Sequence, residues 1–214
     1  MTRMQWWRAS RFAAMATLAA LLGMATESQA FSSGPPDGFA NNPPNSLNCT
    51  LCHLDYQVNS GPGSLQLLNL PPTFQPGNTY DLLVRLQNPG QRRWGFELTV
   101  LGPANEQAGQ IVVTDAVATQ LSDNPGTMAD YIKHTTEGTY AGTLDGPVTW
   151  SFQWVAPNLP NVQFYLAGNA ADESKDPGGD YIYTLQASLD QGTVSALPTT
   201  WGAVKALYVK HSND

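Results

Sequence analysis

The sequence predicts an all-β protein, an antiparallel β-sandwich of immunoglobulin-like architecture. From Ser64 onward, apolar and polar residues alternate with a period of two in short runs, the pattern of strands with one buried face. Gly, Pro, Asn and Asp residues separate seven or eight such runs at sandwich spacing. Of 214 residues, 42% are hydrophobic, 10% aromatic and 13% charged. This composition argues against both a disordered chain and a coiled coil.

The first thirty residues have the features of a secretion signal. Three arginines precede an apolar run over 12–25, and small residues follow it up to Ala30. We expect 1–30 to be removed and the mature chain to be exported to the periplasm, the cell surface or the medium. The run is shorter than the ~20 apolar residues of a membrane span, and no later stretch approaches that length. We therefore expect no transmembrane segment in the mature chain.

Three regions follow the signal. Residues 31–63 are rich in Gly, Pro, Asn and Ser and form a loop-rich segment that cannot bury a core alone. Residues 64–188 form the predicted sandwich, and 189–214 form a tail. In the tail, Thr200 is a plausible N-cap for a short amphipathic C-terminal helix. Its apolar stripe comprises Trp201, Val204, Leu207 and Tyr208.

The predicted strands differ in how clearly they alternate. The clearest is 148–154 (VTWSFQW), with bulky apolar residues on one face and small polar residues on the other. The remaining candidates are 65–70, 80–87, 94–100, 111–113, 162–166 and 181–185. No pair of cysteines lies within these runs, so the domain is not of the antibody type.

The two cysteines lie together in the loop-rich segment, in a C-x-x-C-H motif. Cys49, Cys52 and His53 have the spacing of a c-type haem attachment site. Thiols three positions apart can reach the two vinyl-derived carbons on one porphyrin edge, and His53 then becomes the proximal iron ligand. A Cys49–Cys52 disulfide or a small redox pair is the alternative. A thioredoxin-like site expects a βαβ setting, which this segment lacks.

A second axial ligand can be sought by counting His and Met residues. Besides His53, the mature chain contains only His134, Met128 and His211. His134 lies at a strand edge beside a loop, a common position for sites, and is the first candidate. Met128 is the alternative. The remaining possibilities are a water ligand, an open sixth position, or His211, which is close to the chain end. Because 31–63 has too few apolar residues to cover a haem, the β-domain must supply the missing wall.

Several blocks of the sequence resemble the Reeler domain. They are 70–80 (LPPTFQPGNTY), 88–98 (NPGQRRWGFEL), 131–135 (YIKHT), 150–157 (WSFQWVAP), 164–169 (FYLAGN) and 179–183 (GDYIY). With C-x-x-C-H shortly before them, the chain is more narrowly similar to the exported bacterial Reeler-like proteins called choice-of-anchor V, over about 46–187. The resemblance implies an immunoglobulin-like sandwich, a surface or envelope location and covalently attached haem.

The function expected from these features is that of an exported monohaem cytochrome-like protein carrying haem c. We expect an electron carrier rather than a catalyst, because no hydrolase, zinc-protease or P-loop motif is present. The alternative is a cell-surface adhesion or interaction module with a structural Cys49–Cys52 disulfide.

The charge balance bears on the partners. The formal net charge is −7, and it becomes −9 when residues 1–30 are removed. This argues against nucleic acid and favours a redox partner with a basic docking surface. The acidic residues of 172–180 are expected to form a solvated loop, because their spacing does not match a calcium-binding EF-hand.

Overall fold

The computed structural model describes residues 31–122, 129–174 and 176–193, which contain nine strands. The strands are β1 (Ser64–Leu68), β2 (Thr79–Gln87), β3 (Arg93–Leu101), β4 (Gln110–Val113), β5 (Thr119–Ser122), β6 (Tyr131–His134), β7 (Val148–Val155), β8 (Asn161–Ala171) and β9 (Tyr181–Asp190). One sheet has the order β1-β2-β7-β4 and the other β5-β6-β3-β8-β9. All pairings between these strands are antiparallel. The predicted fold class, an all-β antiparallel sandwich, is confirmed.

The core lies between the two sheets and consists of alternate residues of the central strands. In β7, Trp150, Phe152 and Trp154 are buried, and the residues between them are half-buried. Burying a large apolar side chain contributes about 1.5–3 kcal/mol, so these runs dominate the stability. The same face of β2, β3 and β8 completes the core with Leu82, Val84, Leu86, Trp94, Phe96, Leu98, Val100, Val162, Phe164 and Leu166.

Two strands, β5 and β6, are not among the predicted runs, although the end of β6 at His134 was expected to lie at a strand edge. The first of them is β5. Its sequence, TQLS, has a single large apolar residue, and therefore carries no alternation that would identify it. It is a strand because it pairs along its whole length with β6, from Thr119 opposite His134 to Ser122 opposite Tyr131. Its neighbour β6 is buried at all four positions, which an exposed edge would not allow.

The loop-rich segment covers the outer face of the five-stranded sheet. Ala40 packs with Leu101, Ala129 and Tyr131 in a small second core on that face. The Lys133 ammonium group donates to the Pro35 carbonyl oxygen at 2.7 Å and pairs with Asp37 at 2.6 Å. Further along, the rings of Tyr56 and Tyr181 stack with centroids 4.2 Å apart. The segment is therefore anchored to both ends of this sheet.

Some sequence-based expectations lie outside the described residues. These are the signal peptide at 1–30, Met128, the predicted tail helix and His211. Within 31–122, 129–174 and 176–193, no helix has the length and apolarity needed to cross a membrane.

Candidate functional site: a cavity lined by cysteine and histidine

A cavity of about 520 Å³ lies between the loop-rich segment and the five-stranded sheet. That volume is in the range of protein pockets for cofactors and other small molecules. The segment contributes Phe31, Pro35, Pro36, Phe39 and the three motif residues; the sheet contributes Gly95, Phe96, His134, Asn169 and Ala171. Acidic residues of the β8–β9 loop complete its lining. The cavity thus has one wall from each part of the chain.

The C-x-x-C-H motif forms a single 3-10 turn at Cys49–Leu51. Asn48 caps it, because its side-chain oxygen accepts from the Thr50 backbone N–H at 3.0 Å. The His53 backbone N–H donates to the Cys49 carbonyl oxygen at 3.0 Å and ends the turn. Residues three apart in a 3-10 turn lie one above the other. Cys49 and Cys52 therefore lie on the same side of the turn. Both line the cavity together with His53, whereas Leu51 is exposed.

Both cysteine thiols are free. The alternative expectation of a Cys49–Cys52 disulfide clip is not what this structure contains, since each thiol lines the cavity instead of bonding to the other. Burial raises the pKa of the Cys49 thiol to about 12, and the nearby Glu97 carboxylate adds to the effect. Cys49 is therefore a neutral thiol at physiological pH.

The high pKa of Cys49 predicts slow alkylation in the haem-free protein. In the variant Cys52→Ser, Cys49 is the remaining cysteine, and we expect it to react with iodoacetamide at pH 7 about 1,000-fold more slowly than an ordinary thiol, because each pKa unit changes the thiolate fraction tenfold. The rate should still be rising at pH 10. The same variant unfolded in urea serves as the control and should react at the ordinary rate. A plateau near pH 9 in the folded protein would contradict this prediction.

His53 is held in one orientation by two residues of the five-stranded sheet. Its Nδ1 lies 2.7 Å from Oδ2 of Asp180. The Asn169 amide nitrogen lies 3.3 Å from Nε2 of the same ring. A carboxylate only accepts hydrogen bonds, so Nδ1 carries the proton, and Nε2 has a lone pair with the Asn169 amide as the donor within reach. This is the tautomer in which Nε2 can bind a metal.

The expectation that the acidic residues of 172–180 are solvated is wrong for Asp180. Its side chain is only 2% exposed, because Asp180 lies immediately before β9 and pairs with His53. Asp172 and Asp176, by contrast, are exposed. Sequence reasoning also missed Asn169. Both residues lie within blocks that resemble the Reeler domain, which is the signal that could have singled them out.

His134 lines the same cavity as the motif. Its Nδ1 lies 3.0 Å from the backbone nitrogen of Phe96 and 3.2 Å from that residue's carbonyl oxygen. With its proton on Nε2 the ring accepts from the Phe96 N–H; with its proton on Nδ1 it donates to the Phe96 oxygen and leaves Nε2 with a lone pair. Burial lowers the pKa of His134 to about 4, so the ring is neutral in either tautomer.

One pair of neighbouring residues on β3 and β8 brings the two histidines into the same region. Gly95 of β3 and Asn169 of β8 are directly paired. The ring of His134 lies over Gly95, where a Cβ atom would stand 2.7 Å from its Cε1 atom. Asn169 contacts His53. Because directly paired residues are about 5 Å apart, the two imidazoles belong to one site.

A buried carboxyl group, Glu97, underlies the loop-rich segment. One of its oxygens accepts from the Phe39 backbone N–H. Burial raises the pKa of Glu97 to about 8, although Lys133 acts in the opposite direction. The group is therefore largely protonated at pH 7.

The cavity is lined by thiol, imidazole and carboxylate groups. Among the described residues, no group of three or more His, Cys, Asp and Glu side chains is arranged to hold a bare metal ion. A haem iron makes a different demand, because the porphyrin supplies four ligands and the protein supplies one or two. Two free thiols and an imidazole with a lone pair on Nε2, all lining one cavity, fit covalently attached haem.

Fold and site together define a class: an all-β sandwich with a cysteine- and histidine-lined cavity on the outer face of one sheet. No protein-family model matches the sequence, and no curated protein matches it either.

Solved structures of several β-domains are similar to the chain. The human F-spondin reeler domain is 18% identical, with a TM-score of 0.40 over 64% of this chain and 93% of that one. A cohesin module from a Clostridium perfringens family 33 glycoside hydrolase is 8% identical, with a TM-score of 0.41 over 62% and 96%. AvmM, described as catalysing macrocyclization in alchivemycin A biosynthesis, is 15% identical, with a TM-score of 0.42 over 66% and 95%.

Proposed function

We propose that this protein binds haem c covalently and transfers single electrons outside the cytoplasm. The observation that carries the proposal is the convergence of Cys49, Cys52, His53 and His134 on one cavity. The signal-like residues 1–30 support export from the cytoplasm, and c-type haem is attached after export. The similarity to choice-of-anchor V proteins is part of the same proposal.

Each motif residue has a distinct task in this proposal. Cys49 and Cys52 would hold the porphyrin through two thioether bonds, each formed by adding S–H across a vinyl group, which consumes no oxidant. His53 would bind the iron through Nε2. Bound haem would supply a metal that cycles between ferric and ferrous states. Pro35, Pro36 and Phe39 of the loop-rich segment line the cavity and would supply apolar contacts to the porphyrin.

His134 is the sixth ligand in this proposal. Among the candidates nominated by sequence, it is the one that the described part of the chain brings to the cavity. Iron binding would select the tautomer that donates from Nδ1 to the Phe96 carbonyl oxygen, and Nε2 would exchange the Phe31 backbone for the iron. Two imidazole ligands favour a lower reduction potential than a histidine and a methionine.

The redox partner is proposed to have a basic docking surface. Exposed acidic side chains lie around the β8–β9 loop that borders the cavity, among them Asp172 and Asp55, which accepts from the Gly179 backbone N–H at 2.9 Å. The negative charge near the cavity acts in the same direction as the negative net charge of the mature chain. Such charges steer a basic partner toward the haem, and the effect weakens with salt.

The deciding experiment is expression with a haem-maturation system. We expect a covalent haem in the intact-mass spectrum and a reducible Soret and alpha band. The double variant Cys49→Ser/Cys52→Ser, matched in size and fold, should have neither. A wild-type protein that stays colourless and haem-free under these conditions would refute the proposal.

An interaction module is the second candidate, and exposed apolar residues beside the motif favour it. Leu54 is 75% exposed, and Leu51 and Tyr56 are also exposed. A haem-free protein that binds a surface partner equally well with and without its cysteines would support this function instead.

A further inference from the structure

Asp180 is a residue outside the motif whose side chain contacts the motif histidine directly. Its Oδ2 accepts from Nδ1 of His53 at 2.7 Å, and the carboxylate is almost fully buried. Neither the motif nor the charge count of the sequence assigns it a role. We propose that Asp180 is the positioning residue that fixes the His53 imidazole and lowers the reduction potential of the bound haem. The inference rests on the proposed function.

The geometry around Asp180 supports an orienting role. Its other oxygen, Oδ1, accepts from the Asp172 backbone N–H at 3.3 Å. The Asn169 amide nitrogen lies 3.4 Å from Oδ2 and 3.3 Å from the Nε2 of His53. The carboxylate is therefore fixed by the β8–β9 loop and by β8, and can hold the ring in one plane. His53 follows the short turn of the loop-rich segment, and its side-chain hydrogen bonds in the described part of the chain are to these two residues, Asp180 and Asn169.

A buried carboxylate on Nδ1 also changes the electron density of the ring. Metal-binding histidines commonly donate their second N–H to such a group, which fixes the tautomer and makes the metal-binding nitrogen more basic. A more basic ligand stabilises ferric over ferrous iron. The negative charge of Asp180 acts in the same direction, and burial leaves it poorly screened. Both effects lower the potential.

The test compares Asp180→Asn with Asp176→Asn in the haem-loaded protein. Each variant removes one negative charge from the same loop, and both residues line the cavity. Asp176 accepts from the Gly178 backbone N–H and has no contact with His53 among the described hydrogen bonds. We expect Asp180→Asn to shift the ferric–ferrous equilibrium tenfold or more toward ferrous, about 59 mV or more for one electron. Asp176→Asn should shift it by much less. Equal shifts would overturn the inference and leave the proposed function standing.

A second measurement needs no haem. In the haem-free protein, nitrogen NMR should show His53 protonated on Nδ1 in wild type and in Asp176→Asn, and mixed tautomers in Asp180→Asn. Wild-type protein with the proton on Nε2 would overturn the inference even if the variant failed to bind haem. Absence of haem from wild type would refute the proposed function, whatever the tautomer.

Discussion

Replacing His134 with alanine in the haem-loaded protein is expected to change a six-coordinate, low-spin spectrum into a high-spin one with five ligands or a water ligand. The covalent haem should remain, because Cys49, Cys52 and His53 are untouched. The physical reason is that His134 is the second imidazole of the cavity and is neutral, so its loss removes a strong-field ligand. Absorption and electron paramagnetic resonance spectra measure the change.

Two further variants sharpen this result. Gly95→Ala keeps the His134 imidazole but places a Cβ atom 2.7 Å from its Cε1 atom, so the ring must move. We expect a partial shift toward high spin. Thr139→Ala, which alters another residue lining the cavity, should leave the spectrum low-spin. A low-spin spectrum that survives His134→Ala would contradict the assignment and direct attention to Met128.

Trp150→Ala is expected to destabilise the haem-free protein by about 3–5 kcal/mol, as is usual when a large aromatic side chain is removed from a core. Trp150 is 1% exposed and lies between the sheets, with its ring centroid 4.6 Å from that of Phe96. Its indole N–H donates to the Gly138 carbonyl oxygen at 2.8 Å, so the variant also leaves a buried acceptor without its donor. Urea unfolding at 25 °C measures the loss.

The control for this experiment is Val117→Ala at a surface position. Val117 is 68% exposed, and its truncation should change the free energy of unfolding by less than about 0.5 kcal/mol. Trp150→Phe should fall between the two, because it keeps an aromatic ring and loses the hydrogen bond. A decrease in the free energy of unfolding of less than about 1 kcal/mol for Trp150→Ala would contradict this prediction.

The strands that could be predicted are those whose own residues alternate. The buried faces of β2, β3, β7 and β8 follow the period of two in the sequence, because each has one face in the core. Strand β5 could not be found in this way, since TQLS becomes a strand only through pairing with β6. Likewise, β6 has no exposed face, because the loop-rich segment covers it.

The site divides along the same line. The sequence by itself determined the local chemistry: C-x-x-C-H puts two thiols and an imidazole within one turn. The count of His and Met residues left His134, Met128 and His211 as candidates for a second iron ligand. Only the tertiary structure decided that His134 shares their cavity and that Asp180 and Asn169 hold His53. The reason is that local spacing is fixed along the chain, whereas these contacts depend on strand pairing and on the packing of a loop against a sheet, which join residues far apart in the sequence.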